Sequence, residues 1–177
     1  NDQAAPSPEL AAVLAKVETA LAGNALFRSA ARPKTLTRLI LSRYRTGQTY
    51  GLHVDDALMA GLRTDLSFTL FLAEPDSYDG GALIIEDTFE ARAIKLNPGD
   101  LILYPSTTLH RVEPVTRGER LAVVGWAQSL IRRADQREIL FDLDQAVEAT
   151  FTAEGKSPLF DTLVKTRSNL LRMWAET

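Results

Sequence analysis

The chain has 177 residues, which is enough for one domain with a sizeable core and a small appendage. Its formal net charge of −3 and pI near 5.5 provide no bulk electrostatic attraction to nucleic acids or anionic membranes. The lack of cysteine excludes disulfides, thiolate metal sites and a cysteine nucleophile, and it fits a reducing compartment.

The first predicted element is a helix in "SPELAAVLAKVETAL". Ser7 is a good N-cap, Pro8 suits the first helical position, and Gly23 can end the helix. No run approaches the ~18 apolar residues that span a bilayer, so we expect a cytoplasmic protein that does not bind membranes. The chain begins without Met, and we expect the N-terminal part of the natural domain to be absent.

Between residues 35 and 128 the sequence changes to short β-branched and aromatic runs separated by turn signals. Examples of the runs are "LSFTLFL", "GALIIED" and "LILYP", and the turns include "RTGQ", "NPGD" and "TRGE". About eight short strands without interleaved helices indicate an antiparallel sandwich or barrel. After residue 129 the apolar residues return to helical spacing, and Ser157 followed by Pro158 predicts the start of a last helix.

A candidate metal site begins at "YGLHVDDALM". In an extended strand alternate side chains share a face, so His53 and Asp55 project together while Asp56 points away. An imidazole nitrogen and a carboxylate oxygen on one face are two ligands for a divalent metal. We interpret Asp56 as a solvated turn carboxylate. Because a lone His-x-Asp arises often by chance, the spacing leaves a metal ligand and a structural histidine equally open for His53.

The second histidine of the chain, His110, follows a predicted turn and strand. Two histidines and one aspartate form the facial triad of non-haem Fe(II) oxygenases, which leaves positions open for cosubstrate and O₂. Arg120 begins the strand "RLAVVGW"; an arginine aimed into a barrel needs an anion, whereas an arginine at a hairpin end is simply solvated. Both interpretations of Arg120 remain open on spacing alone.

Three longer stretches strongly resemble one family. These are "RYRTGQTYGLHVDDALM", "RTDLSFTLFLAEPDSYDGGALII" and "KLNPGDLILYPSTTLHRVEPVTRGERLAVVGWAQSLIR". They are similar to the PKHD-type hydroxylases, including the PiuC/YbiX group, which are bacterial Fe(II)/2-oxoglutarate dioxygenases related to the prolyl 4-hydroxylase catalytic domain. The resemblance covers residues 35–135 closely, and the helical tail looks like the family's C-terminal extension.

The resemblance implies Fe(II) ligands at His53, Asp55 and His110, and a 2-oxoglutarate anchor at Arg120. It also implies a mainly β fold with flanking helices, in which a double-stranded β-helix (jelly roll) carries an N-terminal helix and a C-terminal helical extension. We expect the jelly-roll domain at 1–129 and the extension at 130–177. The turn between His110 and Arg120, taken alone, favours a simple hairpin, whereas the jelly roll places these strands in different sheets.

The resemblance also suggests weaker sites in the same pocket. Tyr44 resembles a tyrosine whose hydroxyl assists cosubstrate binding, and Ser67 matches a position that can do the same; both could equally be satisfied core residues. Tyr50 and Tyr104 could line the pocket or only pack.

Two departures from relatives narrow the function. Prolyl 4-hydroxylases typically carry Lys where this chain has Arg120, so prolyl specificity is not carried over. Nucleic-acid demethylating relatives carry a second Arg where this chain has Trp126.

The implied reaction is hydroxylation of an unidentified small molecule or peptide, with release of succinate and CO₂ and with L-ascorbate as a reductant. A non-catalytic jelly-roll protein that binds or senses a metal or small acid, and a cupin-type isomerase, are the alternatives. A homo-oligomer is compatible with the sequence.

Overall fold

The computed structural model describes residues 1–86 and 88–177. In chain order the helices and strands are β1 (Asp2–Gln3), α1 (Pro8–Gly23), α2 (Ala25–Ala31), β2 (Pro33–Leu36), β3 (Ile40–Arg45), β4 (Tyr50–His53), β5 (Leu58–Met59), β6 (Leu62–Arg63), β7 (Leu66–Phe71), a 3₁₀ turn (Pro75–Ser77), β8 (Asp79–Gly80), β9 (Leu83–Glu86), β10 (Ala91–Ile94), β11 (Leu101–Pro105), β12 (His110–Val112), β13 (Val115–Arg117), β14 (Glu119–Ser129), α3 (Ala134–Glu154) and α4 (Pro158–Trp174).

The predicted helix ends agree with the local chemistry of the chain. The Ser7 hydroxyl accepts from the Leu10 amide at 3.1 Å at the start of α1. The Ser157 hydroxyl accepts from the Phe160 amide at 3.2 Å at the start of α4. Helix α2, which the sequence did not predict, begins where Asn24 accepts from the Phe27 amide at 2.8 Å. The described part of the strand region holds more strands than predicted, because several are only two residues long.

Two antiparallel sheets form the β region. In the larger sheet five strands lie in the order β1-β3-β14-β7-β11, and β2 pairs with β14; the four-stranded sheet has the order β10-β9-β12-β4. His110 on β12 and Arg120 on β14 therefore lie in different sheets, and the simple hairpin that their turn favours is wrong. The mainly β jelly roll with flanking helices is confirmed.

Apolar side chains from both sheets meet in one core. It contains Tyr44, Phe71, Leu83, Ile85, Tyr104, Val112 and Val115. Strand β7 is buried on both of its faces, as expected of a strand in the middle of a sheet that is covered on two sides. The core therefore fixes the strands whose polar side chains form the site described below.

The chain divides into two compact units, one of 1–18 and 35–128 and the other of 19–34 and 129–177. In the second unit Asp144 accepts from Ser29 at 2.5 Å, from Arg32 at 2.6 Å and from Arg167 at 3.1 Å. These bonds join the segment around α2 to the two C-terminal helices, a long-range association that local sequence patterns do not reveal. The domain division at 129/130 stays a prediction.

No helix of the described residues is by itself long and apolar enough to cross a membrane. Only by length and composition, and only when taken together, are α1 and α2 long and apolar enough; the two helices are bent by 78° relative to each other.

Candidate metal and cosubstrate site

Three side chains that could hold a metal ion converge in the β region. The ligand atoms of His53, Asp55 and His110 all lie within 4.8 Å of one another. His53 ends β4 and His110 begins β12, and the antiparallel register places these two residues directly opposite each other. Asp55 lies two residues beyond His53, and its side chain points to the same side as predicted from strand alternation.

Backbone carbonyls fix the orientation of both imidazole rings. His53 Nδ1 lies 2.8 Å from the Gly51 carbonyl oxygen, and His110 Nδ1 lies 2.9 Å from the Thr108 carbonyl oxygen. A carbonyl only accepts, so each Nδ1 carries a proton, and in the neutral imidazole this tautomer leaves the Nε2 lone pair for a metal ion. This backbone bond is the usual partner of a metal-binding histidine.

The separations within the cluster fit a shared metal ion better than direct bonding. Each Nε2 lies 3.7 Å from an Asp55 carboxylate oxygen, Oδ1 for His53 and Oδ2 for His110. This distance is too long for a hydrogen bond between the groups. Two imidazole nitrogens and one carboxylate are a donor set suited to Fe(II), so the residues present fit the metal that the sequence predicts. The neighbouring Asp56 is exposed.

Two serines support the Asp55 carboxylate. Ser67 Oγ donates to Asp55 Oδ2 at 2.5 Å, and Ser106 Oγ lies 2.7 Å from Ser67 Oγ. Both serines are almost completely buried, at 2% and 3% exposure. The sequence predicted a cosubstrate role for Ser67, and the structure places its hydroxyl on a candidate metal ligand.

Arg120 is a buried cation in the same cavity. Only 1% of the residue is exposed, and among the described residues no carboxylate forms an ion pair with it. The guanidinium carbon lies 5.2 Å from the Tyr44 ring centroid and 5.4 Å from that of Phe71. Burial lowers the pKa of Arg120, but arginine stays protonated across the physiological range. A desolvated cation without a carboxylate partner is costly unless an anion binds to it, which is the role that the sequence predicts for Arg120.

Gly118 forms the tight turn that precedes Arg120. Gly118 joins β13 to β14 with a φ of +73°, and a Cβ there would lie 2.3 Å from the Ser77 carbonyl oxygen. Arg120 Nε and the nearby Tyr78 hydroxyl are buried without a hydrogen-bond partner among the described residues. Arg120 lines the cavity, so its Nε remains available to a ligand there.

Tyr44 lies opposite Arg120 in the β3–β14 ladder. Asn1 Nδ2 donates to the Tyr44 hydroxyl at 3.2 Å and to Ser42 Oγ at 2.7 Å. Since the Tyr44 oxygen accepts from Asn1, its own proton is free to donate to a ligand. Burial raises the pKa of Tyr44, which keeps that proton in place at neutral pH.

The two remaining tyrosines of the prediction border the histidines. The Tyr104 ring lies 5.1 Å from that of His110, and the Tyr50 ring lies 4.5 Å from that of His53. Tyr104 is buried, whereas Tyr50 is 45% exposed. One cavity is lined by all eight residues that the sequence singled out: His53, Asp55, His110, Arg120, Tyr44, Ser67, Tyr50 and Tyr104.

Comparison with known proteins adds an independent line of evidence. The profile of the 2OG-Fe(II) oxygenase superfamily matches residues 39–128, and that of the PKHD-type hydroxylase C-terminal domain matches residues 135–176. A PKHD-type hydroxylase of Maricaulis maris is 54% identical over 176 residues, covering 99% of this chain and 80% of the relative. A PKHD-type hydroxylase of Synechococcus elongatus is 54% identical over 181 residues, covering 99% and 81%.

The chain belongs to the PKHD-type hydroxylases. The resemblance identified in the sequence is thereby confirmed, and the protein is an oxidoreductase of the 2OG-Fe(II) oxygenase superfamily. Membership in this superfamily implies Fe(II) and 2-oxoglutarate as cofactor and cosubstrate.

Solved structures share the fold of this PKHD-type hydroxylase. A Pseudomonas putida prolyl-4-hydroxylase has a TM-score of 0.50 and 21% identity, covering 72% of each chain. An oxidoreductase of the 2OG-Fe(II) oxygenase family from Burkholderia pseudomallei has a TM-score of 0.50 and 20% identity, covering 63% of this chain and 56% of the other. At these identities the likeness establishes the fold alone.

The sequence-based prediction did not single out Asn1, which lines the cavity of this PKHD-type hydroxylase. It also missed three side chains next to site residues: Phe71 and Tyr78 beside Arg120, and Ser106 beside Ser67. Asn1 reaches the cavity because β1 pairs with β3, a pairing of two residues that has no local signal. Ser106 lies beside Ser67 because strands β7 and β11 pair. The sequence alone does not supply this strand register.

Proposed function

We propose that this PKHD-type hydroxylase hydroxylates a C–H bond of a small molecule or peptide. In this proposal His53, Asp55 and His110 hold Fe(II), and Arg120 binds the far carboxylate of 2-oxoglutarate. The observation that carries the proposal is the presence, in one cavity, of a three-ligand cluster and a buried arginine without a carboxylate partner among the described residues. A dicarboxylate with a 2-oxo-acid end matches both features.

The net reaction balances without a further reactant. R–H, 2-oxoglutarate and O₂ give R–OH, succinate and CO₂, with one oxygen atom entering the product alcohol and the other entering succinate. Bound Fe(II) supplies the activation of O₂ in this chemistry. The protein supplies a fixed donor set, an anion-binding cation and a largely buried cavity.

Each cavity residue has a role in the proposal that follows from its contacts. The Nδ1–H bonds to Gly51 and Thr108 hold the imidazoles of His53 and His110 with Nε2 facing Asp55. Arg120 offers a planar pair of N–H groups to a carboxylate. The free proton of Tyr44, whose oxygen accepts from Asn1, can donate to the same carboxylate.

The substrate side of the proposal is less specific. The net charge of −3 and Trp126 in place of a second arginine oppose a nucleic-acid substrate. A cytoplasmic location, L-ascorbate as a reductant and a homo-oligomer belong to the proposal as expectations from the family resemblance and the composition. Prolyl specificity is not included, because Arg120 stands where prolyl 4-hydroxylases typically carry Lys.

Coupled measurements of succinate and O₂ test the proposal. The purified protein is supplied with Fe(II), ascorbate, 2-oxoglutarate and air, alone and with panels of amino acids, peptides and iron-chelating metabolites. We expect slow succinate release alone and an increase, matched by O₂ uptake and a mass gain of one oxygen, with a substrate. Asp55→Ala should abolish release, and Asp56→Ala should not. Metal binding without any O₂ uptake or succinate would instead establish a non-catalytic binding protein.

A further inference from the structure

We propose that Ser67 and Ser106 form a positioning pair that orients the Asp55 carboxylate for the metal ion. The inference rests on the proposed function, because it assigns a role to residues behind one of the proposed ligands. It gives Ser67 a role at the metal ligand in place of the role at the cosubstrate that its sequence position suggests.

The proton positions in the pair follow from what each group can donate. Ser67 Oγ donates to Asp55 Oδ2, so the 2.5 Å contact uses the single hydroxyl proton of Ser67. The 2.7 Å contact between the two serines must then use the proton of Ser106, with Ser67 Oγ accepting. The result is a directed chain from Ser106 through Ser67 to Asp55 Oδ2.

Charge makes the last bond of this chain the stronger one. An O–H group that donates to a carboxylate forms a short bond, at about 2.5–2.7 Å, roughly twice as strong as a neutral one. Because Ser67 and Ser106 are 2% and 3% exposed, water is not an easy substitute for either hydroxyl. The Ser106 bond polarises the Ser67 hydroxyl further in the same direction.

The pair joins Asp55 to the larger sheet. Asp55 lies in the loop after β4, at the edge of the four-stranded sheet, whereas Ser67 lies on β7 and Ser106 directly follows β11. Strands β7 and β11 pair from Leu101↔Leu70 to Pro105↔Leu66, so both serines are set by one rigid ladder. Among the described residues, the bond from Ser67 is the only side-chain hydrogen bond that restrains the Asp55 carboxylate.

The hydrogen bond to Asp55 Oδ2 leaves Asp55 Oδ1 as the oxygen that can bind a metal ion. With Oδ2 bonded to Ser67, Oδ1 has no hydrogen-bond donor among the described residues and is available to a metal ion. A carboxylate free to rotate would lose this orientation and pay entropy on binding the metal. Loss of such an outer partner typically weakens metal affinity about 10–100-fold.

Mn²⁺ binding without turnover provides the test. The free Mn²⁺ signal in electron paramagnetic resonance gives the dissociation constant of the purified protein in the absence of 2-oxoglutarate. We expect Ser67→Ala to weaken Mn²⁺ binding about 10–100-fold, Ser106→Ala to weaken it less, and Ser67→Thr to restore it. Ser129→Ala removes a fully buried serine hydroxyl from the second unit and is the matched control.

A second measurement separates positioning from cosubstrate binding. With Mn²⁺ saturating, 2-oxoglutarate affinity should be the same in Ser67→Ala as in wild type. Unchanged Mn²⁺ affinity in Ser67→Ala and Ser106→Ala, both folded by thermal melting, overturns the inference while leaving the proposed function intact. A loss of 2-oxoglutarate affinity in these variants, without a loss of Mn²⁺ affinity, would also overturn the inference. Failure of the wild type to bind Mn²⁺ would overturn the proposed function as well.

Discussion

His53 and His110 are direct cross-strand neighbours, with their ring centroids 4.2 Å apart. Strand β12 carries His110 between β9 and β4, so the ring is fixed from both sides and only 5% of the residue is exposed. His53 lies on the edge strand and is more open, with 29% of its side chain exposed. The pair therefore combines one rigid and one accessible donor.

The neighbouring carboxylates Asp55 and Asp56 offer a matched test of the ligand set. Asp55→Ala removes a donor of the cluster, and we expect metal binding to be lost or weakened by orders of magnitude. Asp56→Ala removes an equal charge from an exposed position and should leave the metal dissociation constant unchanged. Calorimetric titration with Mn²⁺ measures both, and equal effects of the two substitutions would exclude a specific role for Asp55.

Removal of the buried cation should act on the cosubstrate. Arg120→Ala deletes a charge-assisted interaction worth about 1.5–3 kcal/mol, so the dissociation constant of 2-oxoglutarate should rise about 10- to 150-fold. Arg120→Lys keeps the charge but loses the planar pair of N–H groups. Its dissociation constant for 2-oxoglutarate should therefore lie between those of wild type and Arg120→Ala. The affinity for Mn²⁺ alone should change little.

Arg117→Ala is the control for these arginine variants. Arg117 is an exposed arginine paired with Asp79 at 2.7 Å, close to Arg120 in the sequence. Its loss should leave 2-oxoglutarate affinity at the wild-type value. An equal loss in Arg117→Ala would mean that general surface charge, and not the buried guanidinium, attracts the cosubstrate.

The Tyr44 hydroxyl should make a smaller contribution to the same affinity. Tyr44→Phe removes one neutral donor worth about 0.5–1.5 kcal/mol, so the KM for 2-oxoglutarate should rise by up to about tenfold. The shape of the ring and its contact with Arg120 are kept. Tyr50→Phe, at a half-exposed position, is the comparison. A KM unchanged by Tyr44→Phe would assign the Tyr44 hydroxyl to packing alone.

Strand alternation predicted the local part of the site. It separated Asp55 from Asp56, and in the structure Asp55 lies in the cluster with His53 whereas Asp56 is exposed. It left His53 undecided between ligand and core residue, because the partner that decides the matter lies on another strand. The sequence motifs around His110 and Arg120 favoured the ligand interpretation of His53, because they resemble those of one family.

What the sequence could not show depends on register and association between distant segments. The contact of Asn1 with Tyr44 arises from a two-residue strand, and the hydrogen bond of Ser67 to Asp55 joins the larger sheet to the loop after β4. Helix α2 is similar: its apolar pattern is short, and its place with Asp144 and Arg167 is fixed by side-chain bonds to helices far along the chain. Local periodicity carries no information about such pairings.

Alkaline conditions should destabilise the fold through the buried tyrosines. Burial raises the pKa of Tyr78 above the ordinary value of a tyrosine, and the nearby Arg120 only partly opposes this. The protonated form is favoured in the folded state, so this stabilisation is complete below about pH 10 and is lost as pH rises further. Urea unfolding from about pH 8 to about pH 11 should show a falling free energy of unfolding.

Tyr78→Phe isolates this effect. The Tyr78 hydroxyl has no hydrogen-bond partner among the described residues, so the substitution should cost little at neutral pH. The alkaline decline of the free energy of unfolding should become shallower than in wild type. An identical decline in Tyr78→Phe would show that Tyr78 does not titrate with unfolding.

Anaerobic addition of 2-oxoglutarate to the Fe(II)-loaded protein tests the central claim most directly. If His53, Asp55 and His110 hold iron and leave room for a chelating 2-oxo acid, the wild type develops a visible metal-to-ligand charge-transfer band that saturates with 2-oxoglutarate. Arg120→Ala should develop the same band at higher 2-oxoglutarate concentrations, and Asp55→Ala should not develop it. Absence of the band in wild-type protein that has bound Fe(II) would contradict the account.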